Sequence, residues 1–264
     1  LLQIKARGAD IRILYSPLDA VSLAADHPDK KIVFFAIGFE TTAPVHMMAL
    51  KEAARRKLGN FYLHTSLFTV PPAIELTAEE GSQKYNIQLD FMKHHGAYRP
   101  PAEKYKTPIV VTGFEPADLL LGIYCCLLQL EAGIYKVENV YKRVVPEEGN
   151  LPARALMEET LELCDQEWRG LGTIPQSGLR LKEIFARQDA SHLLPALDAK
   201  AHKQCLEATA SGVEKGQCIA GDIMRGTKQT KDCPFFGTLC TPDHPVGVPM
   251  VSSEGVCAAY YRYK

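Results

Sequence analysis

The sequence predicts an α/β fold with a mostly parallel sheet and flanking helices, built from βαβ units, followed by a smaller cysteine-rich C-terminal domain. Apolar, β-branched segments alternate with helical segments over the first part of the chain, and this order is typical of parallel sheets. The pattern changes near residue 145, and residues 218–264 are rich in turns and carry four cysteines. We therefore expect one domain over residues 1–145, forming a cleft, and a helical and loop-rich domain over residues 146–264.

The strands and helices of the first domain follow in a regular order. Residues 10–16 have the β-branched and aromatic character of a strand, and Ser16 followed by Pro17 is typical of a helix start. Residues 30–38 (KKIVFFAIG) form an almost continuous apolar run, which indicates a strand buried on both faces of a parallel sheet. Further strands are predicted at residues 60–68 and 107–113, and further helices over residues 45–57, 71–80 and 115–133.

The second domain is predicted to begin with a long amphipathic helix over roughly residues 151–169. Cys164 would be a packing residue of this helix. Residues 174–185 then indicate a loop and a short strand.

The tripeptide Gly-Phe-Glu occurs twice after an apolar strand, at residues 38–40 and 113–115. Ligands bind at the carboxyl ends of strands in open α/β sheets, so Glu40 and Glu115 are candidate site residues. In the alternative, glycine makes the turn and the carboxylate complements the dipole of the next helix. Both interpretations stay open for Glu115, whereas the functional one is favoured for Glu40.

Charge and hydropathy exclude some classes of partner. The net charge of −1 gives no electrostatic reason to expect nucleic acid or an anionic membrane as a partner. The longest nearly uncharged apolar run, residues 119–130, is shorter than the ~20 residues that span a bilayer. No secretory signal opens the chain, so a reducing cytoplasm is expected, where cysteine clusters indicate metal or redox sites rather than disulfides. The first residues resemble the tail of a helix, which suggests a fragment of a longer protein.

Four cysteines near the C-terminus have the spacing C-x14-C-x6-C-x16-C, and glycines and prolines around them allow the backbone to bring distant thiolates together. Structural zinc accepts four thiolates, but its ligands usually come as close C-x2–4-C pairs. An iron–sulfur cluster tolerates varied spacing, so the pattern favours a cluster, with a zinc-stabilised interaction module without redox activity as the alternative. The four are Cys218, Cys233, Cys240 and Cys257, and the expected apolar shell is Phe235, Phe236, Tyr260 and Tyr261.

The remaining cysteines and the loop histidines have simpler interpretations. A free cysteine in an apolar helix usually behaves as a small buried hydrophobe, which is expected of Cys125 and Cys126. For Cys205, His94, His95 and His244 a role outside any site is favoured, and a ligand or auxiliary role is the alternative.

Three segments resemble the HypD family of hydrogenase maturation factors, and the resemblance runs over nearly the whole chain. They are GFETTAP at residues 38–44, EWRGLGTIPQSGLRL at residues 167–181, and CTPDHPVG…MVSSEGVCAAYYRY at residues 240–263. The four-cysteine spacing is the one associated with the [4Fe-4S] site of that family.

The resemblance implies a scaffold and redox maturation factor rather than a stand-alone enzyme. It would help to assemble the Fe(CN)2CO unit of [NiFe]-hydrogenases, an iron that transiently carries cyanide and carbonyl ligands, with a HypC-like chaperone and a HypE-like cyanide donor. The implied ligands of the [4Fe-4S] cluster are Cys218, Cys233, Cys240 and Cys257. The residues that would line the assembly cleft are Glu40, Thr41 and Thr42, where hydroxyls and backbone N–H groups orient an anionic ligand and a carboxylate relays a proton.

This chain also departs from the family pattern. The Cys-Gly-Thr-His and Gly-Pro-Gly-Cys-Pro-Val-Cys motifs of the family do not occur in it, so the thiol that binds iron and the thiols that exchange electrons are expected to lie outside it. Residues 89–106 look shorter than in the family and lack its Gly-His-Val-Ser stretch, and Pro249 stands where many members carry a cysteine. A third hypothesis is therefore a non-functional truncation that folds poorly.

Overall fold

The computed structural model describes residues 2–80, 86–88, 99–193 and 217–263, which form two sheets with flanking helices. The strands are β1 (Ile32–Phe39), β2 (Phe61–Phe68), β3 (Asn86–Gln88), β4 (Ile109–Val111), β5 (Val137–Asn139), β6 (Leu161–Trp168) and β7 (Gly172–Leu181). One sheet has the order β1-β2-β7-β6 and the other the order β3-β4-β5. The pairs β1–β2, β3–β4 and β4–β5 are parallel, whereas β7 pairs antiparallel with β2 and β6. The α/β class is confirmed, with one mixed and one parallel sheet.

Helices connect the parallel strands, as the βαβ prediction requires. The helices are α1 (Leu2–Ala6), α2 (Pro17–Asp26), α3 (Ala43–Arg55), α4 (Val70–Glu80), α5 (Arg99–Lys104), α6 (Pro116–Glu131), α7 (Leu151–Thr160), α8 (Ala220–Met224), α9 (Val248–Val251) and α10 (Val256–Tyr263). Short 3-10 helices occupy Glu183–Gln188, Ala190–Leu193 and Thr230–Asp232. Helix α3 joins β1 to β2, α5 joins β3 to β4, and α6 joins β4 to β5. Across the described ranges, no helix combines the length and apolarity needed to cross a membrane.

The start of α2 shows how the local sequence sets a helix boundary. The Ser16 hydroxyl accepts a hydrogen bond from the Leu18 N–H at 3.2 Å, and the Asp19 carboxylate accepts one from the Ser16 N–H at 3.2 Å. This reciprocal capping satisfies backbone donors that have no partner within the helix, with Pro17 at the first helical position. The predicted helix start is confirmed.

Helices α2 and α3 cover one face of β1 and β2. Their apolar side chains form a core with the inward residues of the two strands, including Val21, Met47, Leu50, Leu63 and Leu67. The other face of β1 is open to solvent, because Val33, Phe35 and Ile37 are 47%, 45% and 60% exposed. Burial of this strand on both faces, which its composition predicted, is therefore not found among the described residues. β1 is the edge strand of its sheet, and helices cover it from one side only.

The strand predicted at residues 10–16 does not form, and this prediction is wrong. Residues 9–14 have no regular structure. Ile13 is largely exposed and Tyr15 is fully exposed. Strand propensity reflects how well side chains fit a pleated, half-buried surface. None of the strands in the described ranges pairs with this segment, so it remains irregular.

The long helix predicted over residues 151–169 is also wrong in its second half. Helix α7 ends at Thr160, and residues 161–168 form β6, which pairs with β7 over most of its length. Gly170 and Gly172 have positive φ angles of +93° and +86°, which glycine adopts without strain, and they make the turn between the two strands. Pairing with β7 therefore overrides the helical pattern, and Cys164 lies in a strand. Strands β6 and β7 lie after residue 145 and belong to the same sheet as β1 and β2. The division into two domains at residue 145 stays a prediction.

Candidate functional site

The loop of residues 38–42 connects β1 to α3, and its Glu40 points into the protein. Glu40 is 1% exposed, and its Oε1 accepts a hydrogen bond from the Val70 N–H at 2.8 Å. Val70 is the first residue of α4, where a backbone N–H has no partner within the helix and a negative charge is favourable. Glu40 thus ties the carboxyl end of β1 to the start of the helix that follows β2.

Thr41 and Thr42, by contrast, are exposed. The Thr42 hydroxyl donates to the Phe39 carbonyl at 3.1 Å, and Thr42 is the residue that immediately precedes α3. Gly38 has a φ of +144°, and a Cβ at this position would collide with the Thr42 hydroxyl, so only glycine fits. The loop therefore presents two hydroxyls beside the N-terminus of α3, with its carboxylate held beneath them.

The second Gly-Phe-Glu segment belongs to an ion-pair cluster. Arg143 donates from Nη1 to Asp118 Oδ1 at 2.8 Å, and its Nη2 lies 3.3 Å from Glu115 Oε2. The Arg143 guanidinium also lies 4.4 Å from the centre of the Tyr141 ring and holds the pKa of Asp118 below its ordinary value. These contacts favour the structural interpretation of Glu115, because its carboxylate helps to bind an arginine at the start of α6.

The four C-terminal cysteines lie in one region of the structure. Cys240 and Cys257 are buried, whereas Cys218 and Cys233 are half-buried. Three of them, Cys233, Cys240 and Cys257, belong to one apolar cluster with Ile223 and Met250. Burial raises the pKa of Cys218, and the charges of Cys233 and Cys240 raise it further. Burial likewise raises the pKa of Cys257, with smaller contributions from the other three thiols. All four are thus close enough for their charges to interact.

A hydrogen-bond donor points at one of these sulfurs, since the Val246 N–H donates to Cys240 Sγ at 3.4 Å. Interactions with the Ala220 backbone and the Thr230 side chain lower the pKa values of Cys218 and Cys257, respectively, and offset part of the effect of burial. A Cβ on Gly247 would lie 2.6 Å from Cys218 Sγ, so the backbone approaches this thiol as closely as glycine allows. Such donors stabilise anionic sulfur and are typical of protein sites that hold thiolates around a positive centre.

A thiophilic metal centre fits this donor set chemically. Four thiolates would repel one another in this half-buried region, and a bound cation would offset that repulsion. In the part of the chain that the structure describes, however, no three His, Cys, Asp or Glu side chains are arranged to hold a metal ion. The ligand role of the four cysteines therefore stays a prediction.

Aromatic residues pack beside the cysteines, in line with the expected apolar shell. The Phe236 ring lies 5.8 Å from the Tyr260 ring and 6.0 Å from the Tyr261 ring, measured between centroids. Phe235 and Phe236 also pack against the apolar cluster that contains Cys240 and Cys257. This packing limits the access of water to the buried thiols.

Three of the other candidate residues from the sequence lie among the described residues. Cys126 is buried in α6, where burial raises its pKa to about 11, and its neighbour Cys125 is half-buried in the same helix. His244 is exposed. Cys205, His94 and His95 lie outside the described residues.

Sequence reasoning missed His46, which is buried in α3 behind the loop of residues 38–42. It is 7% exposed, its ring centroid lies 5.5 Å from that of Phe34, and neither ring nitrogen makes a hydrogen bond of ordinary geometry within the described structure. Burial lowers its pKa below the ordinary 6.5, and a weak interaction with the Ile37 backbone offsets part of the effect. The available signal was a histidine on the apolar side of an amphipathic helix.

The burial of His46 predicts that the protein loses stability in acid. The pKa of His46 is lower in the folded than in the unfolded protein, so its contribution to stability is fully present above about pH 6.5. This contribution is lost as the pH falls through the pKa of the folded state. Between the two pKa values the free energy of unfolding should fall by up to about 1.4 kcal/mol per pH unit from this residue. Urea denaturation at about pH 7.5 and about pH 5.5 should show a smaller difference in His46→Leu than in the wild type, whereas His244→Gln should match the wild type. Equal pH dependence in His46→Leu and the wild type would contradict this assignment.

Comparison with known proteins gives matches over the full chain. A family model described as "HypD: Hydrogenase formation hypA family" matches residues 1–264. The chain is 42% identical to the hydrogenase maturation factor HypD of Azotobacter vinelandii, in an alignment that covers 100% of this chain and 69% of the relative. It is 40% identical to the hydrogenase expression/formation protein HupD of Azotobacter chroococcum mcd 1 and 39% identical to the hydrogenase maturation factor HypD of Escherichia coli (strain K12), with the same coverage.

Proposed function

The chain belongs to the HypD family of hydrogenase maturation factors, and we propose that it takes part in assembling the Fe(CN)2CO unit of [NiFe]-hydrogenases as an iron–sulfur protein. In this proposal Cys218, Cys233, Cys240 and Cys257 hold a [4Fe-4S] cluster. The partners are a HypC-like chaperone and a HypE-like cyanide donor.

The clustering of the four cysteines is the observation that carries the proposal. Consecutive cysteines of this set are separated by 6 to 16 residues in sequence, yet Cys233, Cys240 and Cys257 share one apolar cluster in the folded chain. Cys218 lies against Gly247, which follows the residue that donates to Cys240 Sγ. The Val246 N–H donates to Cys240 Sγ, and Phe235 and Phe236 pack against the cluster that contains Cys240 and Cys257. Four thiolates in a half-buried, hydrogen-bonded environment are the donor set that iron–sulfur clusters require. When bound, the cluster would supply or accept single electrons.

The loop of residues 38–42 is the proposed binding site for the iron unit, which is the substrate of the assembly reaction. Thr41 and Thr42 offer exposed hydroxyls beside the N-terminus of α3, a helix of 13 residues, where a cyanide-bearing anionic group would be favoured. Glu40 supports this loop from beneath, since its carboxylate binds the backbone of Val70. Because the Glu40 side chain is buried, its role in this proposal is to anchor the loop. The carboxylate could relay a proton only if solvent reached it.

Anaerobic reconstitution with iron and sulfide tests the proposal. The full chain should turn brown and retain about four iron and about four sulfide per chain. A colourless protein that binds one zinc and does not retain iron would instead favour the zinc-stabilised interaction module. Soluble aggregates and rapid proteolysis of the freshly purified chain would favour a truncation that folds poorly.

The partner proposal needs a separate measurement. A HypC-like chaperone expressed with the chain should co-purify with it. Because the family motifs that carry the iron-binding thiol do not occur in this chain, we expect the pair to lack the infrared bands of iron-bound cyanide and carbonyl. Such bands in the purified pair would show that this chain and the chaperone together suffice to hold the iron unit without those motifs.

A further inference from the structure

The turn between β6 and β7 contacts both candidate sites. It contains the WRGLG segment, residues 168–172, to which the proposed function assigns no role. We propose that Trp168, Arg169 and Gly170 of this turn are positioning residues that hold the four-cysteine segment in a fixed place relative to the loop of residues 38–42. Only the identity of the group that the cysteines bind is taken from the proposed function.

Trp168 anchors the turn on the side of the loop. Its ring lies 5.0 Å from that of Phe68 and 6.1 Å from that of Phe39, which immediately precedes Glu40. Phe39 and Phe68 also contact each other at 6.3 Å, so the three rings form one aromatic group at the ends of β1, β2 and β6. Aromatic contacts of this kind stabilise beyond the area that they bury.

Hydrogen bonds connect Trp168 to Glu40 by a second route. Trp168 Nε1 donates to Ser177 Oγ at 2.7 Å, and the Ser177 carbonyl accepts from the Thr69 N–H at 2.9 Å. The next residue, Val70, donates its N–H to the Glu40 carboxylate. Ser177 and Thr69 are almost completely buried, so these bonds are protected from competition with water.

Arg169 reaches the cysteine segment on the other side of the turn. Its Nη2 donates to the Val246 carbonyl at 3.0 Å, and the N–H of the same Val246 donates to Cys240 Sγ. One residue therefore joins the guanidinium to a thiol through its two backbone groups.

Gly170 makes the closest backbone contact between the turn and the cysteine segment. A Cβ on Gly221 of α8 would collide with the Gly170 carbonyl oxygen, and a Cβ on Gly170 would lie 3.1 Å from Met224 Cε. Gly170 also needs glycine for its φ of +93°. A side chain at either position would push the two segments apart. The two glycines therefore allow the close backbone contact between the turn and α8.

Three consecutive residues thus have different partners in one rigid turn. Trp168 contacts the aromatic group behind the loop, Arg169 contacts Val246 beside Cys240, and Gly170 contacts the helix that follows Cys218. This arrangement fixes the distance between the thiols and the loop, and it places one positive charge beside the thiolates. The fixed distance would favour binding of a metal centre by the four cysteines, and the positive charge would stabilise the net negative charge that four thiolates bring to the site.

Hydrogen exchange of the metal-free full chain tests the positioning role, because it does not depend on what the cysteines bind. Peptides that contain Gly221 and Val246 should exchange faster in Arg169→Ala and in Gly221→Val than in the wild type. Arg169→Lys, which keeps a donor and the charge, should restore part of the protection. Arg180→Ala is the matched control, since Arg180 lies in the same hairpin but pairs with Glu162. The proposal would be overturned if both peptides exchanged no faster in Arg169→Ala and Gly221→Val than in Arg180→Ala.

A second readout uses Co²⁺ as a probe of the thiol site. Trp168 is the only tryptophan of the chain, and cobalt–thiolate absorption overlaps tryptophan emission, so binding beside the turn should quench its fluorescence. We expect Arg169→Ala to weaken Co²⁺ binding about tenfold, as loss of an outer-sphere contact typically does, while Arg169→Lys stays closer to the wild type. Strong Co²⁺ binding that leaves Trp168 emission unchanged, or equal affinity in Arg169→Ala and Arg180→Ala, would contradict the proposal. Co²⁺ binding without retention of iron and sulfide would refute the iron–sulfur function and leave the positioning role standing.

Discussion

Replacement of Cys240 by alanine is expected to reduce the iron and sulfide retained after reconstitution to near background. Cys240 is 5% exposed, packs with Cys257 and accepts the hydrogen bond from Val246, so its thiol occupies a fixed and buried position. Three remaining thiolates leave one iron of a cubane cluster without a protein ligand and open to solvent. Iron and inorganic sulfide assays, together with the visible absorption of the anaerobic protein, provide the measurement.

The matched control for this variant is Cys164→Ala. Cys164 is a half-buried thiol of β6, outside the four-cysteine segment, and burial raises its pKa as it does that of Cys218. It should therefore retain as much iron and sulfide as the wild type. Retention in Cys240→Ala equal to that in Cys164→Ala would show that this cysteine is not a ligand.

Replacement of Glu40 by alanine should lower the free energy of unfolding by about 2–4 kcal/mol. The change removes the acceptor of the Val70 N–H and leaves a cavity where a side chain with 1% exposure had been. An unsatisfied buried donor and a cavity each destabilise by amounts of this order. Glu40→Gln keeps the shape and one oxygen acceptor, so a smaller loss of about 1 kcal/mol is expected. Urea denaturation followed by circular dichroism gives these values.

Glu75→Ala is the control for the Glu40 variants. Glu75 lies in α4, the helix whose start Glu40 binds, but its side chain is exposed. Its removal should change the free energy of unfolding by no more than about 0.5 kcal/mol. A loss in Glu40→Ala no larger than in Glu75→Ala would mean that the contact with Val70 does not anchor the loop.

Local sequence patterns predicted the elements whose pattern is strong. The apolar run at residues 30–38 became β1, the serine and proline at residues 16 and 17 began α2, and the periodic residues 115–133 became α6. These features depend on side chains that are near one another along the chain. The cysteine spacing predicts a four-thiolate site, and three of these cysteines share one apolar cluster, but their role as ligands stays a prediction.

Contacts between distant parts of the chain decided what local patterns could not predict. Residues 161–168 form a strand because β7 pairs with them, whereas residues 10–16 do not form one because none of the seven described strands pairs with them. Glu40 was predicted at the correct edge of the sheet, but its inward direction depends on Val70. Arg169 and Val246 are 77 positions apart, so no periodicity could indicate their hydrogen bond.

The central claim is that Cys218, Cys233, Cys240 and Cys257 hold a [4Fe-4S] cluster. Mössbauer spectroscopy of the full chain, reconstituted with isotope-enriched iron, tests it most directly because it reports the valence and coordination of every bound iron. The account predicts the spectrum of a cubane cluster with tetrahedral sulfur coordination at all of its irons, and its loss in Cys240→Ala. Iron that is absent, or present only as isolated ions with oxygen or nitrogen ligands, would contradict it.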